Sequence, residues 1–335
     1  MERSIRRVTS VNKLNKYWDD LTFCYFQKKD FLLHLQKYNP CNQRYYELYI
    51  DECLKAGAVV YSIKMDLLTF SKFTNQTTVH IIGLPVSVSA SGLIGETCEF
   101  TYLSEYILKK EKGFILALNL INGFTQDSAI NMRTLPSVVF KKNINNWEEY
   151  QGLIRSKYRR RLNNILQKFS GVECFVNLCS DYTEEHHELY LQILERTKTK
   201  LETLTFDFFR NLPDNFQLTS HYAAGCLLCW NIICFDNNRG FFFFGGLNYE
   251  LRNKYQAYHN NLISILKSCF TNKCELIDLG QTAEIPKMRL GGEIDERHMF
   301  LYHNKKVIMG LLRIFQKQIS YNHISKKTKV FSNNN

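Results

Sequence analysis

The chain has 335 residues, 45% of them hydrophobic and 22% charged, with 24 Phe and 19 Tyr. That composition is globular and ample for a large core, which excludes a wholly disordered chain. Its 43 Lys and Arg against 32 Asp and Glu give a net charge of +11. Such a balance suits a nucleic acid, an anionic membrane surface or a phosphate-bearing substrate. It also follows from the Lys- and Asn-rich usage of an AT-rich genome.

Eleven cysteines, an odd number without a framework of spacings, exclude a disulfide scaffold. Cys226-Leu-Leu-Cys229 lies in an apolar run without a second such pair, so it reads as buried thiols rather than a metal or redox site. The start, Met1-Glu-Arg-Ser-Ile-Arg-Arg7, lacks the apolar stretch of a secretory signal. No run approaches the roughly 18 apolar residues of a membrane span. We therefore expect a cytoplasmic protein, peripheral at the inner face of the membrane if its last helix touches lipid.

In chain order, residues 12–37 mix aromatic and basic side chains and predict helix. Arg44 to Lys55 places Tyr45, Leu48, Tyr49 and Leu54 near helical spacing, and Ala56-Gly57 ends it. Val59 to Phe70 and Thr78 to Val88 predict strands, with Pro85 confining the second to an edge or breaking it. Glu99 to Lys112 predicts a helix, then Phe114 to Ile121 and Leu135 to Lys141 predict strands. Asn145-Asn146-Trp147-Glu148-Glu149 reads as a capped helix start with acids suited to the dipole. That helix is expected to run to about Phe169 on the stripe Tyr150, Leu153, Tyr158, Leu162, Ile165 and Phe169, closing at Gly171.

Val172 to Leu178 predicts a strand and Glu184 to about Lys200 a helix. Gly225 to Asp236 and Gly240 to Gly245 predict a hairpin around Asp236-Asn-Asn-Arg239. A helix is expected from Glu250 to about Phe270, then strands at Glu275 to Leu279 and Met299 to His303. Lys305 to about Lys317 predicts an amphipathic helix. Residues 322–335 predict a disordered basic tail. This alternation argues an α/β or α+β fold with mixed sheets.

The candidate site residues gather in the second half. Ser156-Lys157-Tyr158-Arg159-Arg160-Arg161 is a basic cluster that either grips phosphates or forms a solvated helix face. Glu195 is a carboxylate placed to serve as a general base, or an ordinary surface glutamate. Gly245-Gly246 at a strand end allows close approach of a backbone or ligand, or a simple turn. Tyr255, Tyr258 and Asn261 share one side of the following helix, as pocket lining or as core. Asp278, Gln281, Thr282, Lys287 and Arg289 put five kinds of polar chemistry at one strand end, where rigid scaffolds hold functional groups.

No G-x-x-x-x-G-K-[ST], G-x-S-x-G or H-E-x-x-H motif occurs. The adjacent His186 and His187 are poor joint metal ligands, so no metal site is expected.

Residues Ser156-Lys-Tyr-Arg-Arg-Arg161, Leu194-Glu195-Arg196, Thr199-Lys200-Leu201, Gly245-Gly246-Leu247-Asn248-Tyr249, the helix with Tyr258 and Asn261, and Asp278-Leu-Gly-Gln281-Thr282 with Lys287-x-Arg289-Leu290-Gly291 follow one another in a familiar order. Across roughly 147–303 the chain resembles the GNAT-like acyltransferase superfamily, and within it the bacterial FemAB/FemX branch of peptidoglycan aminoacyltransferases. The resemblance implies tandem GNAT-like units with mixed, mostly antiparallel sheets flanked by helices. The first would be a degenerate unit at 1–146, the second the acyltransferase unit at 147–321, with a cleft between them.

The resemblance further implies acyl transfer to an amine with no metal, covalent intermediate or permanently bound cofactor. Asp278, Tyr258 and Glu195 would then be catalytic. Arg159, Arg160, Gly245, Gly246, Tyr249, Asn261, Gln281, Thr282, Lys287 and Arg289 would bind substrate. The usual pyrophosphate loop, [QR]-x-x-G-x-[GA], is missing. The donor therefore stays open between an acyl-CoA, an acyl carrier protein and, as in the Fem branch, an aminoacyl-tRNA. A non-catalytic protein holding RNA or a partner on the same fold is the competing class. The last helix, with Val307, Leu311, Ile314 and Phe315 beside Lys305, Lys306, Arg313 and Lys317, is either a docked helix with a basic outer face or a contact with an anionic membrane.

Overall fold

The computed structural model of the chain describes residues 2–66, 76–121, 124–197, 202–322 and 328–332. They form two compact units, Met1–Leu135 with Glu296–His323, and Pro136–Asp295 with Ile324–Asn335.

The first unit opens with β1 (Arg3–Val8), α1 (Lys29–Tyr38), β2 (Arg44–Ile50) and β3 (Cys53–Asp66). β4 (Gln76–Ile82), β5 (Leu93–Gly95), α2 (Phe100–Lys110), β6 (Phe114–Leu120) and β7 (Ile130–Arg133) follow. The helix expected at Arg44 to Lys55 is instead the β2–β3 hairpin. Asp51 and Glu52 both take positive φ, 46° and 67°, as a tight hairpin turn requires. β2 is buried on both faces, so it lacks the alternation that marks a half-buried strand. Residues 12–37 hold short 3-10 turns before α1 rather than one helix.

The second unit contains β8 (Ser137–Phe140), α3 (Trp147–Leu153), α4 (Ser156–Gln167), β9 (Glu173–Leu178), α5 (Glu184–Arg196) and α6 (Phe206–Arg210). It continues with β10 (Phe216–Ala223), β11 (Cys226–Asp236), β12 (Arg239–Leu247), α7 (Arg252–Tyr255), α8 (Ala257–Thr271), β13 (Leu276–Gln281), α9 (Glu284–Met288) and β14 (Glu293–Asp295). Its sheet runs β14-β8-β13-β12-β11-β10-β9. The pairing is antiparallel except between β12 and β13.

Alternation along β11 sets the layers. Trp230 packs against Tyr182 and Phe209 and donates Nε1–H to the His186 carbonyl at 2.8 Å, so α5 covers that face. The next residue, Asn231, donates to Asn261 Oδ1 at 2.8 Å and Ser264 Oγ at 2.9 Å on α8, which covers the other.

The single helix expected from Trp147 to Phe169 is two. Ile154 is extended and pairs with Phe331; the Arg155 amide donates to the Val330 carbonyl, and the Ser332 amide to the Leu153 carbonyl. Residues 328–332 of the tail expected to be disordered thus pack into this unit, with Val330 2% exposed. They split the helix without disturbing its apolar stripe, which continues on α4. Likewise Gln256, at φ 49°, divides the expected Glu250–Phe270 helix into α7 and α8.

The chain then returns to the first unit with β15 (His298–His303), α10 (Lys306–Ile314) and α11 (Gln316–Ile319). β15 inserts between β6 and β7, so that sheet runs β1-β2-β3-β4-β6-β15-β7 with β5 on β3. The expected division at 146/147, with 147–321 as one piece, therefore differs from the packing. The difference arises because β15 pairs with strands more than 150 positions earlier. Among the described residues no helix is long and apolar enough to cross a membrane.

Candidate functional site

The strand end singled out by the sequence is a fixed turn. β12 and β13 pair from Arg239↔Leu276 to Phe241↔Asp278 and no further. Beyond that point Gly280, Thr282 and Ala283 all take positive φ (76°, 61° and 49°). For Thr and Ala that is a strained conformation which the surroundings must hold. Two side chains hold it. Asp278 Oδ1 accepts from Ser137 Oγ and from the Gly280 amide at 2.8 Å. Lys287 Nζ donates to the carbonyls of Gly280, Gln281 and Thr282 at 3.0, 2.7 and 2.8 Å.

Asp278 and Lys287 are both buried. Burial pushes the Lys287 pKa down to about 8, against the opposing pull of Asp278 and Glu284. Gln281 and Thr282 meet the lysine through their backbones, and Arg289 faces open space.

Arg289 lines a hollow of about 480 Å³ together with Lys157, Arg160, Arg161 and Tyr158 of α4. No carboxylate among the described residues contributes to its wall. Among the described residues none of these four cations has a carboxylate within ion-pair distance. Burial and the charge of Arg289 push the Arg161 pKa down, and Tyr158 opposes them.

A narrow crevice shares Tyr158, Arg161 and Arg289 with this hollow and adds His259. His259 in turn helps line a third hollow, of about 430 Å³, with Tyr258, Tyr249 and Arg252. Burial first, then Arg161 and Arg289, push the His259 pKa down, so its imidazole is neutral at pH 7. Burial raises Tyr258 to about 12, with Glu284 and Tyr249 adding to it. The guanidinium groups of Arg196 and Arg252 lie 4.1 and 4.9 Å from the centroid of the Tyr249 ring. Cations and aromatic rings thus lie near one another on α4, α5, α7, α8 and just past α9.

Other expected site residues take different places. Arg159 donates Nη2–H to the Gly152 and Ile154 carbonyls at the end of α3. Gly245 and Gly246 lie within β12, and the close approach they allow is that of a neighbouring strand and its side chain. A Cβ on Gly246 would sit 2.0 Å from Trp230 Nε1, and one on Gly245 2.9 Å from the Trp230 carbonyl oxygen. Asn261 is interior, donating to the Trp230 carbonyl at 3.0 Å and accepting from Asn231. Glu195 is exposed near the end of α5. Residues 199–201 of the resemblance lie outside the described residues.

Cys229 is buried as expected, whereas Cys226 is exposed at the strand start. Among the described residues no three His, Cys, Asp or Glu side chains are grouped to hold a metal ion.

The sequence reading passed over His259, Arg252 and Thr328. His259 adjoins Tyr258, but one continuous helix ending in core put Asn261, not His259, on the pocket side. Thr328 lines the 480 Å³ hollow from the tail.

Each of the two units is a mixed sheet flanked by helices, and the second carries the basic and aromatic residues described above. The chain has the fold of FemX, at TM-score 0.56 and 10% identity over 93% of this chain and 100% of that one. It also matches L-PGS from Bacillus licheniformis at TM-score 0.51 and 8% identity, over 85% of this chain and 94% of that one. A third match is the C-terminal domain of a protein from Agrobacterium fabrum described as a lysylphosphatidylglycerol synthetase. There the TM-score is 0.50 and the identity 9%, over 79% of this chain and 85% of that one. The FemX-like fold that the residue pattern resembles is the fold of this chain. No protein-family model and no curated protein sequence matches it.

Proposed function

We propose that the chain is an acyltransferase that moves an acyl group from a phosphate-bearing carrier to an amine. The observation that carries this reading is the set of four cations, Lys157, Arg160, Arg161 and Arg289, around a hollow walled by no carboxylate among the described residues. Like charges held together repel, so an anion is the natural complement of the hollow. An acyl-CoA, or the phosphopantetheine of an acyl carrier protein, has phosphates to meet it. An aminoacyl-tRNA has them too, and Tyr158, Tyr249 and Tyr258 among the cations suit stacked bases. The fold shared with FemX favours keeping this second donor in view.

In this reading the amine nitrogen attacks the donor carbonyl carbon, forming the C–N bond. His259, neutral and beside the cations, accepts the proton that the amine loses. Tyr258, protonated at any physiological pH, donates its hydroxyl hydrogen to the developing oxyanion. The acyl C–S or C–O bond then breaks, and the proton taken up by His259 passes to the departing sulfur or oxygen, so the carrier leaves as a thiol or hydroxyl while Tyr258 keeps its own proton. Asp278, whose Oδ1 is engaged by Ser137 and Gly280, acts with Lys287 as a positioning residue for the turn that carries Arg289. Glu195 contributes to none of the three hollows described, so the proton acceptor assigned from sequence to Asp278 or Glu195 becomes His259.

A surface of the first unit supports a reading of the acceptor. α10 buries Met309 and exposes Val307 (78%), Leu311 (55%), Ile314 (70%) and Phe315 (54%) along one side. The outer face is thus an apolar stripe flanked by Lys305, Lys306, Arg313 and Lys317, and no acidic residue occurs after Glu296. That pairing fits an anionic bilayer surface, with the stripe in the acyl boundary and the cations at the headgroups. A lipid amine or lipid-linked amine is the acceptor we propose.

Thermal-shift screening with acyl-CoAs, acyl carrier protein and tRNA tests the donor, since a ligand that binds only the folded chain raises its melting temperature. A shift with tRNA and turnover with aminoacyl-tRNA selects the second donor. A shift with tRNA and no turnover with any donor selects the non-catalytic class. Sedimentation with phosphatidylglycerol vesicles, comparing the wild type with Leu311→Glu/Ile314→Glu, tests the surface.

A further inference from the structure

The short C-terminal segment 328–332 touches both sources of the cations around the hollow of about 480 Å³. At its start Thr328 lines that hollow, and its hydroxyl donates to the Met288 carbonyl at 3.0 Å. Phe331 packs over Gly291: a Cβ on that glycine, held at φ 98°, would sit 2.5 Å from the Phe331 ring. Thr328 and Phe331 thus grip the chain on either side of Arg289. Tyr150, its ring 6.2 Å from that of Phe331, donates to the intervening Leu290 carbonyl at 2.9 Å.

The same segment is bonded to the junction of α3 and α4. The Arg155 amide donates to the Val330 carbonyl at 2.9 Å, and the Ser332 amide to the Leu153 carbonyl at 3.0 Å. Arg155 is the N-cap of α4, so its backbone sets where that helix begins and where Lys157, Arg160 and Arg161 project. Val330 lies in one core with Ile154, Leu162 and Leu290, which ties the two attachments together.

Chain ends fray unless packing and hydrogen bonds hold them. This one is held at two places, and each carries cations that repel those at the other. We infer that segment 328–332 is a strap that keeps Arg289 beside α4 against that repulsion, with Phe331 and Thr328 as positioning residues for the bound anion. The inference rests on the hollow being an anion site, and it assigns the geometry of that site to the C-terminal segment. It also gives Gly291 a role, since only a residue without a Cβ leaves room for the Phe331 ring.

Calorimetric titration of the full chain with inorganic pyrophosphate tests it. Phe331→Ala should retain its circular dichroism spectrum and bind pyrophosphate at least about ten-fold more weakly, as loss of one charge-assisted contact implies. Ser332→Pro, at an exposed position, removes only the amide that bonds Leu153 and should weaken binding about three-fold. The strap acts through Arg289, so in an Arg289→Ala background Phe331→Ala should cost little further affinity. Affinity unchanged in both Phe331→Ala and Ser332→Pro would overturn the strap and leave the anion site standing. So would a loss in Phe331→Ala that persists undiminished in the Arg289→Ala background. A folded wild-type chain that does not bind pyrophosphate would overturn the anion site and the strap together.

Discussion

Arg161 and Arg289 lie close enough for the charge of Arg289 to push the Arg161 pKa down, and among the described residues no carboxylate contributes to the wall they share. They come from segments about 130 positions apart in the chain. Their approach depends on the turn at Gly280–Ala283 and on the lysine that holds it. Holding like charges this close costs stability in the absence of an anion.

The first prediction concerns that repulsion. Inorganic pyrophosphate should raise the melting temperature of the wild type, by an amount equivalent to about 2.7 kcal/mol at one hundred times its Kd. Arg289→Ala should lose most of this gain while melting no lower than the wild type without ligand. A calorimetric scan with and without pyrophosphate reads both effects.

His259 supplies a pH test. Its pKa is pushed below 6.5, so its neutral form is already complete near neutrality. The acid limb of the turnover profile should follow the lowered pKa of His259, apart from any limb set by deprotonation of the acceptor amine. His259→Ala should lower kcat by roughly 10²- to 10⁴-fold and remove that acid limb. An acid limb unchanged in His259→Ala would remove His259 from the role.

Lys287 touches no wall of the hollow, yet it should matter to it. In Lys287→Met three carbonyls of a strained turn lose a charged donor, and we expect destabilisation of roughly 2–4 kcal/mol. The turn that aims Arg289 loosens with it, so pyrophosphate affinity should fall as well. Urea unfolding combined with a pyrophosphate titration separates the two effects.

Two buried histidines predict acid sensitivity. His186, bonded to Ser220 Oγ and accepting from the Thr183 amide, and His221 both have pKa values lowered to about 4, chiefly by burial. Their unfolded value is near 6.5, so between pH 6.5 and 4 the unfolded chain binds more protons. Stability is therefore full above about pH 6.5 and is lost as pH falls toward 4, by on the order of 3 kcal/mol per histidine. The double variant His186→Gln/His221→Gln should show a flatter stability curve over that window.

Much of the fold was legible wherever periodicity was free of tertiary interference. The Asn146 cap, the β11–β12 hairpin and the β13 strand end were all readable, because capping and turn chemistry are local. β2 was not, since burial on both faces erases the period-two signal. The breaks at Ile154 and Gln256 were hidden because apolar side chains continue in phase on both sides. Of the site, the basic cluster on α4 and Arg289 were visible as residue types, and their meeting in one hollow was not. Gly245-Gly246 carried a real signal of close approach, yet the approaching group is Trp230. Local sequence does not show that a lysine and an aspartate at a strand end will turn inward to hold the backbone.

Single-turnover measurement of acyl transfer, comparing the wild type with Arg161→Ala/Arg289→Ala, tests the central claim most directly. Acyl-CoA and aminoacyl-tRNA serve as donors, and an amine-bearing lipid in phosphatidylglycerol vesicles as acceptor. The account predicts transfer from one of these donors, and donor binding at least about 100-fold weaker in the double variant, as two lost charge-assisted contacts imply. Transfer with unchanged donor affinity in the double variant, or no transfer from either donor in a folded wild-type chain, would contradict it.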